Sequence, residues 1–307
     1  MILTDNERVM SNKPLFSVVT VCYNAENYIQ KTMESVLAQD YLCCGDSKSS
    51  DSDIRFEYII QDGASKDGTL ELISKFKDKF EDKNIGIVIN SEKDGGIYDA
   101  MNKAVSSASG TYVIFMNADD CFYSESVLSD VARSLDKFND DNSELPDIIY
   151  GDCIVKELGM YFTFKKCFDD IKSRMPFSHQ ACFAKAELLK ELQLNTNYKI
   201  TADYDFLLRS CLNSKTFYDS NVTIALVTAD GLSSLNMLDT FVEVNKVCSA
   251  LNEPRFSEKE YKKKLREMKL KQFVLSHFPK FIVKAVRKKQ ISKRGQLADV
   301  VVPVWAR

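Results

Sequence analysis

Only two histidines and no Cys-x-x-Cys pair occur in the 307 residues, which leaves little from which to build a zinc centre. The nine cysteines are odd in number and scattered, so they suggest no disulfide framework and read as the reduced thiols of an intracellular protein. No stretch approaches the ~20 apolar residues of a membrane span. The opening MILTDNERVMSNKPLF has no basic segment leading into an apolar one, so neither secretion nor membrane insertion is expected. Two further absences concern nucleotides. No G-x-G-x-x-G opens the first helix, which weighs against a dinucleotide oxidoreductase. Thr20-Val21-Cys22-Tyr23-Asn24 offers no glycine-rich, Lys/Arg-bearing phosphate loop, which weighs against a sugar nucleotidyltransferase.

A hydrophobic fraction of 45% sustains one large domain, or one with an appendage. The net charge of -3 speaks against a nucleic-acid partner, but it is unevenly spread. From Lys259 to Arg294 there are 14 basic residues against Glu260 and Glu267, while the remainder carries 27 basic and 42 acidic residues. The tail from about Ser257 is helical in composition, its basic side chains punctuated by Leu265, Leu270, Phe273, Phe278, Phe281 and Ile282. The polar segment 43–53, CCGDSKSSDSD, reads as a surface excursion with no assigned role.

Short β-branched or aromatic runs at Leu15–Cys22, Phe56–Gln61, Ile85–Asn90 and Thr111–Met116 are each followed by polar turn residues. Between them lie Ile29, Met33, Val36 and Leu37, then Leu72, Ile73, Phe76 and Phe80, then Ile97, Met101, Ala104, Val105 and Ala108, all at the spacing of a helix with one buried face. Alternation of this kind predicts βαβ units and a mostly parallel sheet. After Asp147 the expected pattern is mixed: strands at Asp147–Tyr150, Tyr161–Phe164 and Val222–Val227, with helical pieces around Ala186–Leu192 and Tyr204–Leu212, extending the first sheet.

Ligands of parallel sheets sit beyond the carboxyl ends of the strands. Those ends are polar here: Tyr23-Asn24-Ala25-Glu26, Asp62-Gly63-Ala64-Ser65-Lys66-Asp67-Gly68, Glu92-Lys93-Asp94-Gly95-Gly96 and Asn117-Ala118-Asp119-Asp120. Acids at the last position can hold a hard cation through oxygen, although an Asp-rich turn would use the same residues. Asp62 can accept from a base or ribose, and Asp94 and Asn102 present polar ends beside two glycines. Asp67 and Asp99 read as helix-start residues. His179 lies in an apolar, aromatic setting that suits a structural histidine as well as a site residue.

The segments PLFSVVTVCYNAENYIQKTMESVLAQ, YIIQDGASKDGTLELI, EKDGGIYDAMNKAVSSASGTYVIFMNADD, FSHQACFAKAELL and ITADYDFLLR together resemble family 2 of the glycosyltransferases, inverting enzymes of the GT-A type, from about Pro14 to Ser234. The resemblance implies an α/β fold with a Rossmann-like central sheet, helices on both faces, a mixed acceptor-side region and a helical C-terminal tail. It divides the chain into a donor-binding half, 1–120, an acceptor-side half with the catalytic base, 121–256, and the tail, 257–307. It assigns Thr20, Tyr23, Asn24 and Asp62 to the nucleotide, and Asp94 and Asn102 to ribose and sugar. The family's Asp-x-Asp metal motif falls on Asn117-Ala118-Asp119, an Asn replacing the first acid, so Asp119 with Asp120 beside it would hold Mg or Mn. The family's Glu-Asp motif falls on Ala202-Asp203, making Asp203 the expected base, with Asp205 its rival. His179 stands as a contact to acceptor or diphosphate.

These implications describe transfer of a hexosyl or N-acetylhexosaminyl group from a nucleotide sugar, a UDP-sugar first. The acceptor is a hydroxyl of a lipid-linked glycan, carried on polyprenyl diphosphate, in the synthesis of a surface polysaccharide such as O-antigen, capsule or exopolysaccharide. The 259–294 tail would then meet an anionic membrane surface, placing a cytoplasmic protein peripherally at the inner face of the cell membrane; a solvated helical face is the plainer reading of the same residues. Polyprenyl-phosphate glycosyl transfer and a non-catalytic nucleotide-binding scaffold are the alternatives.

Overall fold

The computed structural model describes residues 13–41, 56–142, 144–229 and 236–277, together with Trp305. The 43–53 excursion, the Asp230–Ser234 loop and the basic tail beyond 277 lie outside the described residues.

Strand β1 (Phe16–Cys22), helix α1 (Ile29–Leu37), β2 (Glu57–Asp62), α2 (Thr69–Glu81), β3 (Gly86–Ser91), α3 (Ile97–Ser107) and β4 (Tyr112–Phe115) follow one another as βα units. β1 pairs in parallel with both β2 and β4, and β2 with β3, so these four strands end on one edge. The expected strand boundaries agree within a residue or two, because the apolar runs that signal them are the runs that become buried.

Alternation along each strand builds two cores. Phe16, Val18, Tyr58, Ile60, Tyr112 and Ile114 face α1 and α2 through Ile29, Met33, Val36, Ile73, Phe76 and Phe80. The intervening Val19, Val21, Ile59, Val113 and Phe115 face α3 through Tyr98, Met101, Ala104 and Val105. Side chains of successive strand residues point to opposite faces, so one sheet carries helices on both sides.

The second half adds β5 (Cys121–Phe122), α4 (Val127–Asp141), β6 (Ile148–Glu157), β7 (Met160–Phe164), β8 (Cys182–Lys185), α5 (Ala186–Leu192), α6 (Ala202–Leu212), β9 (Phe217–Thr228), α7 (Met237–Ala250) and α8 (Glu258–His277). Among the described residues the strands form one nine-stranded sheet in the order β3-β2-β1-β4-β8-β6-β9-β5, with β7 on β6. The second half therefore extends the first sheet in mixed fashion, as expected. The helices α4 and α7, the two-residue β5 and the strand β8 are additions that the sequence pattern did not announce.

β8 runs antiparallel to β4 and β6, and β5 antiparallel to β9. The strand expected to end at Tyr150 continues to Glu157, because Gly151 permits a break in register against β9 between Tyr150 and Asp152. A Cβ on Gly151 would lie 2.2 Å from the Val222 carbonyl oxygen and 2.7 Å from Ile224 Cδ1. Gly151→Ala is therefore expected to destabilise the fold by about 1–3 kcal/mol, read in a denaturant melt, since backbone cannot rotate out of the way as a side chain would.

Candidate active site

The loops after β1 and β2 are laced together. Asn24, at φ 49°, accepts the Lys66 N–H on Oδ1 (2.9 Å) and donates its own N–H to Ser65 Oγ (2.8 Å). Glu26 accepts the Gly68 N–H (2.7 Å), and Asp67 accepts the N–H groups of Glu26 (3.2 Å) and Thr69 (3.1 Å), the helix-start role its position suggested. Asp62 is fully buried at the end of β2 and accepts from Ser65 N (2.9 Å), the Ser65 hydroxyl and Ser91 Oγ (2.7 Å). These bonds fix the turn that carries the buried Gly63. A Cβ on Gly63 would lie 2.6 Å from Asp94 Oδ2 and 3.3 Å from the Tyr23 ring. The Asp94 carboxylate and the Tyr23 ring, the latter 62% exposed, thus close over the buried Gly63 at the ends of β1 and β2.

Two of the expected donor contacts have other work. Thr20 is fully buried, donating to the Met116 carbonyl (2.7 Å) and paired with the Tyr58 hydroxyl (2.8 Å), so it ties β1 to its neighbours inside the core. Asn102 spends both ends of its amide on Leu194, donating to its carbonyl (2.8 Å) and accepting from its N–H (2.9 Å). It lines a polar cleft of about 610 Å³ with Lys103, Gln193 and Arg209, and none of Asp62, Asp119 or Asp203 reaches that cleft. A side chain with both amide ends engaged has little left for a ligand. Asp99 accepts the Gly95 N–H at the start of α3 (2.8 Å), as expected.

At the end of β4, Asp119 has φ 143°, a conformation L-residues rarely adopt. It is held by its N–H to Thr32 Oγ1 (3.1 Å), by the Thr228 hydroxyl on Oδ2 (2.8 Å) and by an ion pair with Lys31. Thr228 arrives because the antiparallel register pairing Cys121 with Leu226 places it opposite Asp119 two residues further on. Asp120 is buried and accepts from Gln180 Nε2 (3.0 Å). Burial pushes its carboxyl up to about 6, with Asp119 adding to the push and Gln180, His179 and Lys31 opposing it.

Asn117 Oδ1, a buried oxygen without a hydrogen-bond partner among the described residues, stands on the same turn as the carboxylates of Asp119 and Asp120, and oxygens of this kind suit a hard cation. Among the described residues no three His, Cys, Asp or Glu side chains converge, so the protein would supply part of a coordination shell and a diphosphate the rest.

His179 reaches the same edge because β8, which it precedes, runs antiparallel to β4, with Phe183 opposite Ile114. Its Nε2 lies 3.3 Å from Asn117 Nδ2, and its Nδ1 donates to Asp203 Oδ2 at 2.8 Å. Burial pulls the imidazole pKa down, but the hydrogen bond and charge of Asp203, with the charge of Asp120, outweigh it and leave the pKa raised. Asp203 is the second residue of α6; its Oδ1 accepts from Tyr204 N (2.8 Å) and faces the Tyr98 hydroxyl (3.5 Å), whose own pKa burial and the Asp203 charge drive upward. The rival Asp205 is buried and turned away, ion-paired with Arg209 one turn on at 2.8 Å. That Asp-x-x-x-Arg spacing was the signal that could have separated the two acids. Glu243, Lys31 and Thr228 are the site neighbours that no motif announced.

The family model described as glycosyl transferase family 2 matches residues 17–185, more than half of the chain. The protein belongs to glycosyl transferase family 2. It is 29% identical over 201 residues to a Mycobacterium tuberculosis PGL/p-HBAD biosynthesis glycosyltransferase, covering 65% of this chain and 71% of that protein. It is 38% identical over 108 residues to the teichuronic acid biosynthesis glycosyltransferase TuaG of Bacillus subtilis, covering 35% and 37% of the two chains. Among solved structures it resembles S. aureus TarS 1-349 in complex with UDP-GlcNAc, with a TM-score of 0.58 and 20% identity over 82% of this chain and 70% of that one. The mannosyltransferase PcManGT of Pyrobaculum calidifontis, in complex with GDP-Man and Mn2+, gives 0.56 and 15% over 93% and 77%. The fold is GT-A, and the chain is a glycosyltransferase.

A buried carboxylate with a raised pKa makes this glycosyltransferase sensitive to pH. Between about pH 4 and pH 6 the native Asp120 keeps a proton that the unfolded chain has released, so its contribution to stability falls as pH rises through that window. In metal-free protein Asp120→Asn is expected to be more stable than the parent at pH 7.5, by on the order of 2 kcal/mol, with the gain vanishing towards pH 4. Denaturant melts in chelator across that range read the difference.

Proposed function

We propose that this glycosyltransferase works with inversion and a divalent metal, moving a hexosyl or N-acetylhexosaminyl group from a nucleotide sugar to a hydroxyl of a lipid-linked glycan during synthesis of a surface polysaccharide. The observation that carries this reading is the Asp203 carboxylate, held by His179 beside the Asn117-Ala118-Asp119-Asp120 turn. UDP- and GDP-sugars in the structures of TarS and PcManGT support a nucleotide-sugar donor, with a UDP-sugar as first choice. The biosynthetic roles for which TuaG and the mycobacterial relative are named support a glycoconjugate acceptor, here one carried on polyprenyl diphosphate.

Tyr23 and Asp94 take nucleotide and ribose, with Asn24 and Asp62 setting the two laced loops that carry them. Asp119 and Asp120, with the oxygen of Asn117, would hold Mg or Mn. When bound, the ion neutralises charge building on the departing diphosphate. Asp203 removes the proton of the acceptor hydroxyl as its oxygen attacks the anomeric carbon opposite the diphosphate, the C–O bond to the diphosphate breaks, and the configuration inverts. His179 keeps one Asp203 oxygen engaged so that the other lone pairs face the acceptor. Asp203→Asn is expected to lower turnover by about 10²–10⁴-fold without changing donor affinity. Asp119→Ala is expected to weaken manganese-dependent binding of UDP-GlcNAc or GDP-mannose by calorimetry. Near-normal turnover in the first variant, or unchanged affinity in the second, would remove that residue from the mechanism.

The proposal places the protein at the inner face of the cell membrane. Among the described residues no helix is long and apolar enough to cross a bilayer. α8 carries Lys259, Lys262, Lys263, Lys264, Arg266, Lys269 and Lys271 and leaves Leu270 64% and Phe273 59% exposed, a composition suited to anionic headgroups and the lipid boundary. The rest of the basic tail lies beyond residue 277. Removing 257–307 should abolish flotation with phosphatidylglycerol vesicles while sparing donor binding; flotation unaffected by the deletion sinks the membrane role.

A further inference from the structure

We infer that Glu243, on α7 and outside every motif of the sequence, is a positioning residue for the Asp203 base. Its carboxylate lies against the segment that leads into α6. Oε1 accepts the N–H of Lys199 (3.0 Å), and Oε2 accepts the N–H groups of Ile200 (2.9 Å) and Thr201 (3.2 Å) and the Thr201 hydroxyl (3.2 Å). Three consecutive backbone donors thus close on one side chain more than 40 residues away in the chain.

The place of these bonds gives them their consequence. Residues 193–201 contain no helix or strand, and Thr201 is the residue from which α6 starts without capping it by its own side chain. Asp203 follows two residues later, so where the helix begins decides where its carboxylate stands. A carboxylate that accepts several backbone N–H groups fixes such a start far more tightly than water can, and the bonds are charge-assisted. Fixing it sets the 2.8 Å contact of Asp203 with His179 and the 3.5 Å approach to the Tyr98 hydroxyl. The charge of Glu243 reaches the same hydroxyl, adding to its raised pKa after burial and Asp203.

Glu243 does not also carry the docking of α7. A separate apolar cluster of Tyr204, Leu208, Val244, Val247 and Cys248 joins the two helices, and the Tyr204 hydroxyl donates to the Ile171 carbonyl at 2.8 Å. Removing the carboxylate therefore leaves α6 and α7 packed while freeing the first turn of α6.

This inference rests on the assignment of Asp203 as the base, and the test separates the two. Glu243→Ala is expected to speed amide hydrogen exchange at 199–204 in the ligand-free protein. It is also expected to lower kcat for manganese-dependent hydrolysis of UDP-GlcNAc or GDP-mannose by about 10–100-fold, the scale of a small misplacement of a catalytic group, with the donor KM within about twofold of the parent. Glu243→Asp, which keeps the charge but draws the acceptor back by one methylene, should give an intermediate loss and carries the comparison if the alanine variant does not fold. In an Asp203→Asn background Glu243→Ala should cost nothing further. Unchanged exchange at 199–204, a loss that appears in KM, or a further loss in the Asp203→Asn background overturns the positioning role. So does normal kcat in the Glu243 variants while Asp203→Asn is impaired. Near-normal turnover in Asp203→Asn instead removes the base itself.

Discussion

The contact between His179 Nδ1 and Asp203 Oδ2, at 2.8 Å, is where the two halves of the sheet become one site. The parallel half of the fold ends at β4, and its strands do not themselves reach Asp203, the proposed base. The antiparallel strand β8 solves this by returning along β4, which brings His179 beside Asn117. From there the imidazole bridges to the first turn of α6. A carboxylate at that place would gain only ~0.3–1 kcal/mol from the helix terminus alone, too little to fix a rotamer, whereas a charge-assisted bond to an imidazole defines both distance and direction. The paired histidine also removes the cost of leaving a half-buried carboxylate without a partner.

Much of this was legible in the sequence because burial and turn chemistry write short-range signals. The four parallel strands, the three helices between them and the polar strand ends all follow from spacing along a few residues, and α3 and α6 begin at the acids that mark them. What was not legible is contact between residues far apart. Thr20 looks like a strand-end ligand in the resemblance but points into the core, where Tyr58 and the Met116 carbonyl receive it. Asn102 is placed near the donor by the motif, yet its amide is claimed by Leu194, 92 residues on. β6 was cut short at Tyr150 because a glycine reads as a stop, whereas Gly151 here lets the strand break register against β9 and continue. Glu243 gave no signal at all, since a carboxylate that meets backbone N–H groups needs no particular side chains as partners.

The Asn in place of the first acid of the metal motif has a physical meaning in this setting. Asp119 and Asp120 lie on this turn, Asp203 is joined to it through His179, and a further carboxylate at 117 would lie against His179. Affinity for a hard cation rises with the number of charged ligands, so the amide oxygen gives up some attraction for the ion. In exchange it lowers the repulsion among the acidic groups around the turn.

The three remaining carboxylates meet that repulsion in different ways. Asp119 is paired with the Lys31 ammonium and Asp203 with the imidazole of His179, so each charge has an opposite partner within the fold. Among the described residues Asp120 has the neutral amide of Gln180 as its side-chain hydrogen-bond partner while being the most deeply buried of the three, and its carboxyl is driven up to about 6. A carboxyl in that condition would release its proton to solvent more readily if a cation supplied the charge that the protein withholds. On the same turn the backbone of Asp119 is held at φ 143° by the contacts of Thr32, Thr228 and Lys31. Strain of this kind costs on the order of 1–3 kcal/mol and persists only where the surroundings over-determine it. Strain and an undercompensated acid therefore meet in the same four residues, at the edge where the proposed chemistry needs a cation.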